Sequence, residues 1–125
     1  SSPSRGLGDV YKRQDLIINS RVQKLYKRYG DRFLNKILSA NEKAEFSNLK
    51  NSQKMNFLCS SFAAKEALVK ALGIGFRGVY PSDISMKKNE LGKPELINHK
   101  LENIKHHLSI TNTDSYTLSF VVLEK

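Results

Sequence analysis

The sequence has few of the residues that build disulfide-linked, metal-clustered or membrane-spanning proteins. It contains a single cysteine, Cys59, which excludes an intrachain disulfide and a cysteine-based zinc cluster and fits a reducing compartment such as the cytoplasm. Tryptophan is absent, and no apolar run approaches the roughly 20 residues that a transmembrane helix needs. With 125 residues and 39% apolar content, the chain is expected to fold as one soluble domain with a single core.

Acidic residues are also scarce, with 12 Asp and Glu against 21 Lys and Arg, for a formal net charge of +9 and a pI near 9.7. Such a chain is expected to bind an anion, whether a nucleic acid, an acidic protein, a phosphorylated small molecule or an anionic membrane. Much of the charge falls within residues 21–36, where apolar residues recur with a helical period and cations occupy the other side. The cations of this basic amphipathic segment are Arg21, Lys24, Lys27, Arg28, Arg32 and Lys36.

The hydrophobic pattern changes from a helical period to a strand period along the chain. The spacing from Ser39 to Glu42 is that of a capping box that opens a helix, and a longer apolar helical run covers residues 55–72. Residues 107–124 consist of two alternating runs around a polar Asn-Thr-Asp-Ser turn, which predicts a β-hairpin. Helices followed by antiparallel strands predict an α+β fold with N-terminal helices packed on an antiparallel β-sheet.

Lys65 and Glu66 interrupt the apolar run of the 55–72 helix. Because this helix is apolar on nearly all sides, we expect it to be largely buried, and a buried Glu66 carboxylate needs a cation or a metal ion. A second carboxylate nearby would favour a hard divalent ion such as Mg²⁺. The alternative is an exposed Glu66–Lys70 pair, which contributes only about 0.3–0.5 kcal/mol. The glycines and cations that would let phosphate oxygens approach are Gly73, Gly75, Lys65, Arg77 and Lys93.

Five segments of the chain form an ordered set of motifs. They are DLIINSRV at 15–22, GDRFLNKILSANE at 30–42, FAAKEALVKALGIG at 62–75, NELGKPEL at 89–96 and HLSITNTDSYTLSFVVLE at 107–124. In this order they resemble the motifs of the holo-acyl-carrier-protein synthase family, the small 4′-phosphopantetheinyl transferases. The resemblance covers roughly residues 15–124, and five motifs in one order are a specific match.

The resemblance implies one transferase domain over residues 15–125. Members of this family move 4′-phosphopantetheine from coenzyme A to a serine of an acyl carrier protein and release adenosine 3′,5′-bisphosphate. By position, Asp15 and Glu66 match the family's Mg²⁺ ligands, and Lys65 matches a lysine that contacts phosphate. Glu66, directly or through a metal-bound water, is then the group that receives the serine proton. The positions implied to contact coenzyme A are Lys65, Gly73, Gly75, Lys93, Pro94 and His107.

The resemblance also implies a function for the positive charge, because acyl carrier proteins are acidic and the family binds them on a basic first helix. Arg21 and Arg32 match the arginines of that surface, and we add Lys24 and Arg28 as further basic residues of the same segment. The family places its active sites at subunit interfaces, which implies a homotrimer. Neither nucleic acid nor membrane is an implied partner, and the implied location is the cytoplasm.

Three features depart from the family pattern. Ser61 stands where many members have arginine, and Asn112 stands where many have histidine. Residues 1–14 lack the family's apolar first strand, so we assign them to a non-native or disordered N-terminal segment and prefer Asp15 over Asp9 as the metal ligand. Two other hypotheses therefore stay open: a small basic nucleic-acid-binding module, and a non-catalytic carrier-protein-binding domain of the same fold.

Overall fold

The computed structural model describes residues 10–73 and 79–124, which form four α-helices and five β-strands. None of the helices in these two ranges combines the length and the apolarity that crossing a membrane requires. The elements are β1 Val10–Ile18, α1 Asn19–Tyr29, α2 Asp31–Ile37, α3 Ala40–Asn48, α4 Asn51–Leu72, β2 Ser85–Lys88, β3 Pro94–Ile97, β4 Lys105–Asn112 and β5 Tyr116–Glu124.

The strands form two antiparallel sheets. The larger sheet has the order β1-β5-β4, and β2 and β3 form a separate two-stranded sheet. β4 and β5 are the predicted hairpin, and the polar turn lies between Asn112 and Tyr116. The backbone N–H of Leu96 in β3 donates to Nε2 of His106 in β4 at 3.0 Å, which links the two sheets. The α+β fold class and the terminal hairpin are therefore confirmed.

Strand β1 begins earlier than the sequence predicted. Val10–Gln14 pair with β5 in register with Asp15, which lies opposite Ser119, so these five residues belong to the folded domain. The expectation that no strand precedes Asp15 was wrong because β1 is an edge strand: its backbone bonds to β5 while its polar side chains Lys12, Arg13 and Gln14 remain exposed. Asp9 and the rest of residues 1–9 lie outside the described ranges, and their assignment stays a prediction.

The break between α1 and α2 and the start of α3 lie where local sequence signals place them, whereas α1 begins at Asn19, two residues before the predicted helical segment. Gly30, with φ of 54°, separates α1 from α2, and Ser39 and Glu42 form the predicted capping box of α3. α4 begins at Asn51, four residues before the predicted start at 55, and its N-cap residue Lys50 makes no side-chain cap bond that would have marked this start.

Helix α4 lies at the centre of the domain and contributes to both hydrophobic clusters. One cluster joins α4 to the larger sheet, and the other joins α4 to α1, α2 and α3. Eleven of the 22 residues of α4 are buried, which confirms the prediction for this helix. Polar side chains on α4 are consequently held in fixed positions relative to both the sheet and the other helices.

Candidate active site

Asp15 on β1 and two residues of α4, Glu66 and Lys70, form a cluster of charged side chains. Asp15 is 9% exposed and points to the sheet face that α4 covers, because its cross-strand partner Ser119 donates to the Ala63 carbonyl of α4 at 2.6 Å. Lys70 Nζ donates to Asp15 Oδ1 at 2.5 Å. The structure thus brings the two predicted metal ligands together and adds a lysine to them.

The electrostatics of this cluster are those of two carboxylates that share one cation. Burial raises the pKa of Glu66, the charge of Asp15 raises it further, and Lys70 opposes both effects. The hydrogen bond from Lys70 to Asp15 raises the pKa of Lys70. One ammonium does not neutralise two carboxylates, so the cluster carries a net negative charge that suits a hard divalent cation.

The donor set of the cluster is small. In the part of the chain that the structure describes, no group of three or more His, Cys, Asp and Glu side chains could hold a metal ion. Asp15 and Glu66 fit Mg²⁺ as two carboxylate ligands, because this ion is commonly held by one or two carboxylates together with substrate phosphates and water.

Lys70 is the member of this cluster that sequence reasoning did not predict. Its spacing of four residues from Glu66 placed both on one side of a helix, and it was considered only as the partner of Glu66 in an exposed pair. Its hydrogen-bond partner is instead Asp15, 55 residues earlier in the chain. The i, i+4 spacing was the available signal, but the packing of β1 beneath α4 had to be known to interpret it.

Lys65 lies away from this cluster. Its side chain is fully buried, and Nζ donates to the Ile37 carbonyl at 2.7 Å and forms an ion pair with Glu42. Burial lowers the pKa of Lys65, and Glu42 opposes that shift. The structure does not support the predicted phosphate contact, because the ammonium would have to leave a buried carboxylate to make it.

The predicted coenzyme A contacts separate into different parts of the chain. His107 is exposed on the sheet face away from α4, since the next residue, Leu108, packs against α4. Lys93 is exposed in the β2–β3 turn, and Pro94 begins β3. Strand β5 separates β4, with His107, from β1, with Asp15. One copy of the chain therefore does not bring His107 together with Asp15 and Glu66.

The glycines of the predicted site divide between described and undescribed residues. Gly73 ends α4 with φ of 69°, a conformation that favours glycine, and its N–H donates to the Val69 carbonyl at 3.2 Å. Gly75 and Arg77 lie outside the described ranges. The approach of phosphate to these glycines stays a prediction.

Pro94 lines a cavity of about 770 Å³ between α3, α4 and the strands β2 to β4. Lys87 and Lys88 supply positive charge at its wall, and Phe57 supplies an aromatic ring. Sequence reasoning did not single out these three residues. The lining residues are Glu45, Leu49, Gln53, Asn56, Phe57, Ser60, Met86, Lys87, Lys88, Pro94, Ile110 and Asn112.

The two substituted family positions, Ser61 and Asn112, lie on α4 and β4. Asn112 Nδ2 donates to Ser60 Oγ and to Thr117 Oγ1, both at 3.0 Å, so the amide joins β4 to α4 and β5. Ser61 Oγ is buried and has no hydrogen-bond partner among the described residues. Asn112 thus retains a hydrogen-bonding role.

The four predicted carrier-protein contacts, Arg21, Lys24, Arg28 and Arg32, are exposed on α1 and α2. Within the described residues none of them takes part in a salt bridge, and Arg28 lies over the Tyr29 ring at 5.4 Å. A cationic surface that is not neutralised internally can meet an anionic partner.

Comparison with known proteins agrees with the motifs. Residues 15–121 match the model of the 4′-phosphopantetheinyl transferase superfamily. A holo-[acyl-carrier-protein] synthase from Campylobacter hominis is 40% identical over 116 residues, which cover 88% of this chain and 94% of that protein.

Two solved structures are similar to the described fold. One is a holo-(acyl-carrier-protein) synthase from Bacillus anthracis in complex with CoA (3′,5′-ADP), with a TM-score of 0.79, 34% identity, and coverage of 92% of this chain and 96% of that chain. The other is holo-[acyl-carrier-protein] synthase from Neisseria meningitidis, with a TM-score of 0.81, 35% identity, and coverage of 92% and 98%.

Proposed function

Since the chain belongs to the 4′-phosphopantetheinyl transferase superfamily, we propose that Asp15, Glu66 and Lys70 form the centre at which it transfers 4′-phosphopantetheine from coenzyme A to a serine of an acyl carrier protein. The main support for this assignment is that the carboxylates of Asp15 and Glu66 lie close to Lys70 where β1 packs against α4. The relatives do not favour the two rival hypotheses, a nucleic-acid-binding module and a non-catalytic domain of the same fold.

The reaction is the attack of the serine hydroxyl oxygen on the β-phosphorus of coenzyme A. A new P–O bond forms to the serine, and the P–O bond to adenosine 3′,5′-bisphosphate breaks. Glu66, directly or through a bound water, receives the serine proton, and a raised pKa suits a carboxylate for that role. Lys70 is half-exposed and reaches the cluster from solvent, so its ammonium can face the charge that develops on the phosphate oxygens.

The proposed site includes Mg²⁺, held by Asp15 and Glu66. A bound Mg²⁺ would polarise the pyrophosphate oxygens of coenzyme A and neutralise part of their charge. Support comes from the donor set, because two adjacent carboxylates with a single ammonium between them leave a negative site. Removal of the ion with a chelator is expected to stop transfer without unfolding the protein.

We propose that the active form is a homotrimer in which a neighbouring copy completes the coenzyme A site. His107 on β4, which is predicted to contact coenzyme A, is not brought to Asp15 within one chain. The outer face of the larger sheet is also apolar and exposed. Its exposed members are Leu16 at 61%, Ile18 at 52%, Tyr116 at 49% and Leu118 at 38%, which are neighbours across the β1–β5 pairing.

The basic surface of α1 and α2 is the proposed docking site for the acidic acyl carrier protein. Arg21, Lys24 and Arg28 recur every three or four residues along α1, so they share one side of the helix, and Arg32 follows on α2. Electrostatic steering by this group favours encounter with an anionic carrier. We also propose a cytoplasmic location, because the one thiol, Cys59, is buried and unpaired, as suits a reducing compartment.

The experiment is incubation of the protein with coenzyme A, Mg²⁺ and an apo acyl carrier protein, followed by intact-mass measurement of the carrier. The expected result is addition of one phosphopantetheine group, and no addition to a carrier whose acceptor serine is replaced by alanine. A folded protein that leaves the carrier unmodified would refute the proposal. Salt-sensitive RNA binding without transfer would indicate the nucleic-acid-binding hypothesis instead.

A further inference from the structure

The buried pair of Lys65 and Glu42 joins four separate parts of the chain. Lys65 lies in the middle of α4, and its Nζ also donates to the Ile37 carbonyl, which is left unsatisfied at the end of α2. Glu42 Oε1 also accepts from the Ser39 N–H at 2.9 Å, and Oε2 accepts from the Met86 N–H of β2 at 2.8 Å. Both carboxylate oxygens are therefore occupied, and the pair ties α4 to α2, α3 and β2.

The rest of the α4 packing is mostly nonpolar, and nonpolar contacts are less directional than hydrogen bonds. Its contribution to the cluster against the larger sheet is three alanines and two leucines, namely Ala64, Ala67, Leu68, Ala71 and Leu72. Alanine side chains allow close approach but do not interlock deeply with a sheet surface. The polar contacts that set the position of the middle of α4 are the bond from Ser119 to the Ala63 carbonyl, the bond from Asn112 to Ser60 and the Lys65–Glu42 pair.

Glu66 directly follows Lys65, and Lys70 lies on the same side of α4 as Glu66. Adjacent helix residues are separated by about 100° around the axis, so holding Lys65 on the α2–α3 side directs Glu66 toward Asp15 on β1. A buried ion pair is weak evidence for added stability, and its best-attested use is to select one arrangement among several. The hydrogen bonds that occupy both carboxylate oxygens of Glu42 are consistent with that use.

We propose that Lys65 is a positioning residue, which acts through Glu42 to hold α4 so that Glu66 and Lys70 meet Asp15. This inference rests on the proposed transfer function. Lys65 does not touch the substrate in this account. It contributes to the reaction by fixing the direction of the neighbouring Glu66.

The test is a double-mutant cycle of Glu42→Gln, Lys65→Met and the combined variant, with Lys43→Met as a control. Lys43 is on α3 and donates to Asn35, outside the proposed site. The combined variant removes both buried charges and so keeps the test open if Lys65→Met alone fails to fold. Transfer rates are measured at a temperature at which thermal unfolding shows each variant to be folded.

The expected result is a loss of kcat of about 10- to 100-fold in Glu42→Gln, with no larger loss in the combined variant and little change in the KM for coenzyme A. Glu42 is anionic and buried, so it cannot itself bind a phosphate. An unchanged kcat in folded Glu42→Gln with a large loss in the combined variant would overturn the proposal in favour of a substrate contact by Lys65. Wild-type kcat in both would overturn it in favour of a purely structural pair.

A second readout does not depend on transfer. Binding of Mn²⁺ alone, followed by electron paramagnetic resonance of the free ion, is expected to weaken about 10-fold in the combined variant, as for other residues that orient metal ligands. If wild type transfers nothing but the combined variant binds Mn²⁺ more weakly, the proposed function fails while the positioning of the carboxylates stands. Unchanged Mn²⁺ affinity with unchanged kcat would refute the positioning role.

Discussion

Replacement of Lys70 by methionine separates the chemistry of the site from the stability of the fold. Methionine keeps an unbranched apolar side chain but removes the ammonium that donates to Asp15 Oδ1 at 2.5 Å. Because the Lys70 side chain is 52% exposed, solvent screens this pair. Its loss should lower the free energy of unfolding by about 0.2–1 kcal/mol, which corresponds to a fall of only a few degrees in Tm.

The same replacement should slow transfer far more. Lys70 is the cation proposed to face the charge that develops on the phosphate oxygens, and removal of one such donor typically lowers kcat by about 10²- to 10³-fold, or about 2.7–4 kcal/mol. Lys70→Arg keeps the charge and should retain more activity than Lys70→Met. The control is Lys50→Met, which changes the N-cap residue of α4, where the side chain makes no cap hydrogen bond.

The assay is the initial rate of carrier-protein modification at saturating coenzyme A, measured by intact-protein mass spectrometry. Thermal unfolding followed by circular dichroism is recorded on the same samples. A folded Lys70→Met protein that retains more than about half of the wild-type kcat would refute the proposed role of Lys70, because such a loss is below about 0.5 kcal/mol of transition-state stabilisation.

Three further predictions concern docking, pH and assembly. Reversal of charge in Arg21→Glu should raise the KM for the carrier protein by about 10-fold with little change in kcat, and this difference in KM should decrease as salt is added. An unchanged KM would show that the α1 surface takes no part in docking. Burial lowers the pKa of His106 from 6.5, against the opposing charge of Glu95, so the folded state binds this proton less readily than the unfolded state. The free energy of unfolding should therefore be highest above pH 6.5 and decrease as the pH falls below it. Urea titrations that give wild type and His106→Gln the same slope of stability against pH would contradict this. Leu118→Lys puts a charge into the exposed apolar sheet face and should reduce the mass from light scattering to that of one chain, whereas an unchanged mass would rule this face out as the interface.

The parts of the fold that sequence reasoning predicted correctly have local causes. The capping box at Ser39 and Glu42, the break at Gly30 and the β4–β5 hairpin each depend on residues within a few positions of one another. The starts of α1 at Asn19 and of α4 at Asn51 lack a capping side chain, and the sequence placed both of them too late. The first part of β1 was missed because its polar residues fit a strand only once β5 is known to lie beside it.

The candidate site depends on contacts between distant segments, which local patterns do not encode. The pairing of Asp15 with Glu66 was predicted through the family motifs. Which lysine of α4 lies beside these carboxylates was not predicted, because Lys65 and Lys70 both flank Glu66 on a mostly apolar helix. Packing decides it: Lys65 is directed to Glu42 in the helical layer, and Lys70 is directed to Asp15 on the sheet.

The proposed catalytic centre is tested by comparing the transfer rates of Glu66→Gln and Asp15→Asn with that of Glu102→Gln, with each protein shown to be folded. Glu102 is an exposed carboxylate outside the site, so its variant controls for the loss of one negative charge. We expect Glu66→Gln and Asp15→Asn each to lower kcat by at least about 10²-fold, while Glu102→Gln retains the wild-type rate. Wild-type transfer by either of the two site variants would contradict the assignment of Asp15 and Glu66 to the catalytic centre.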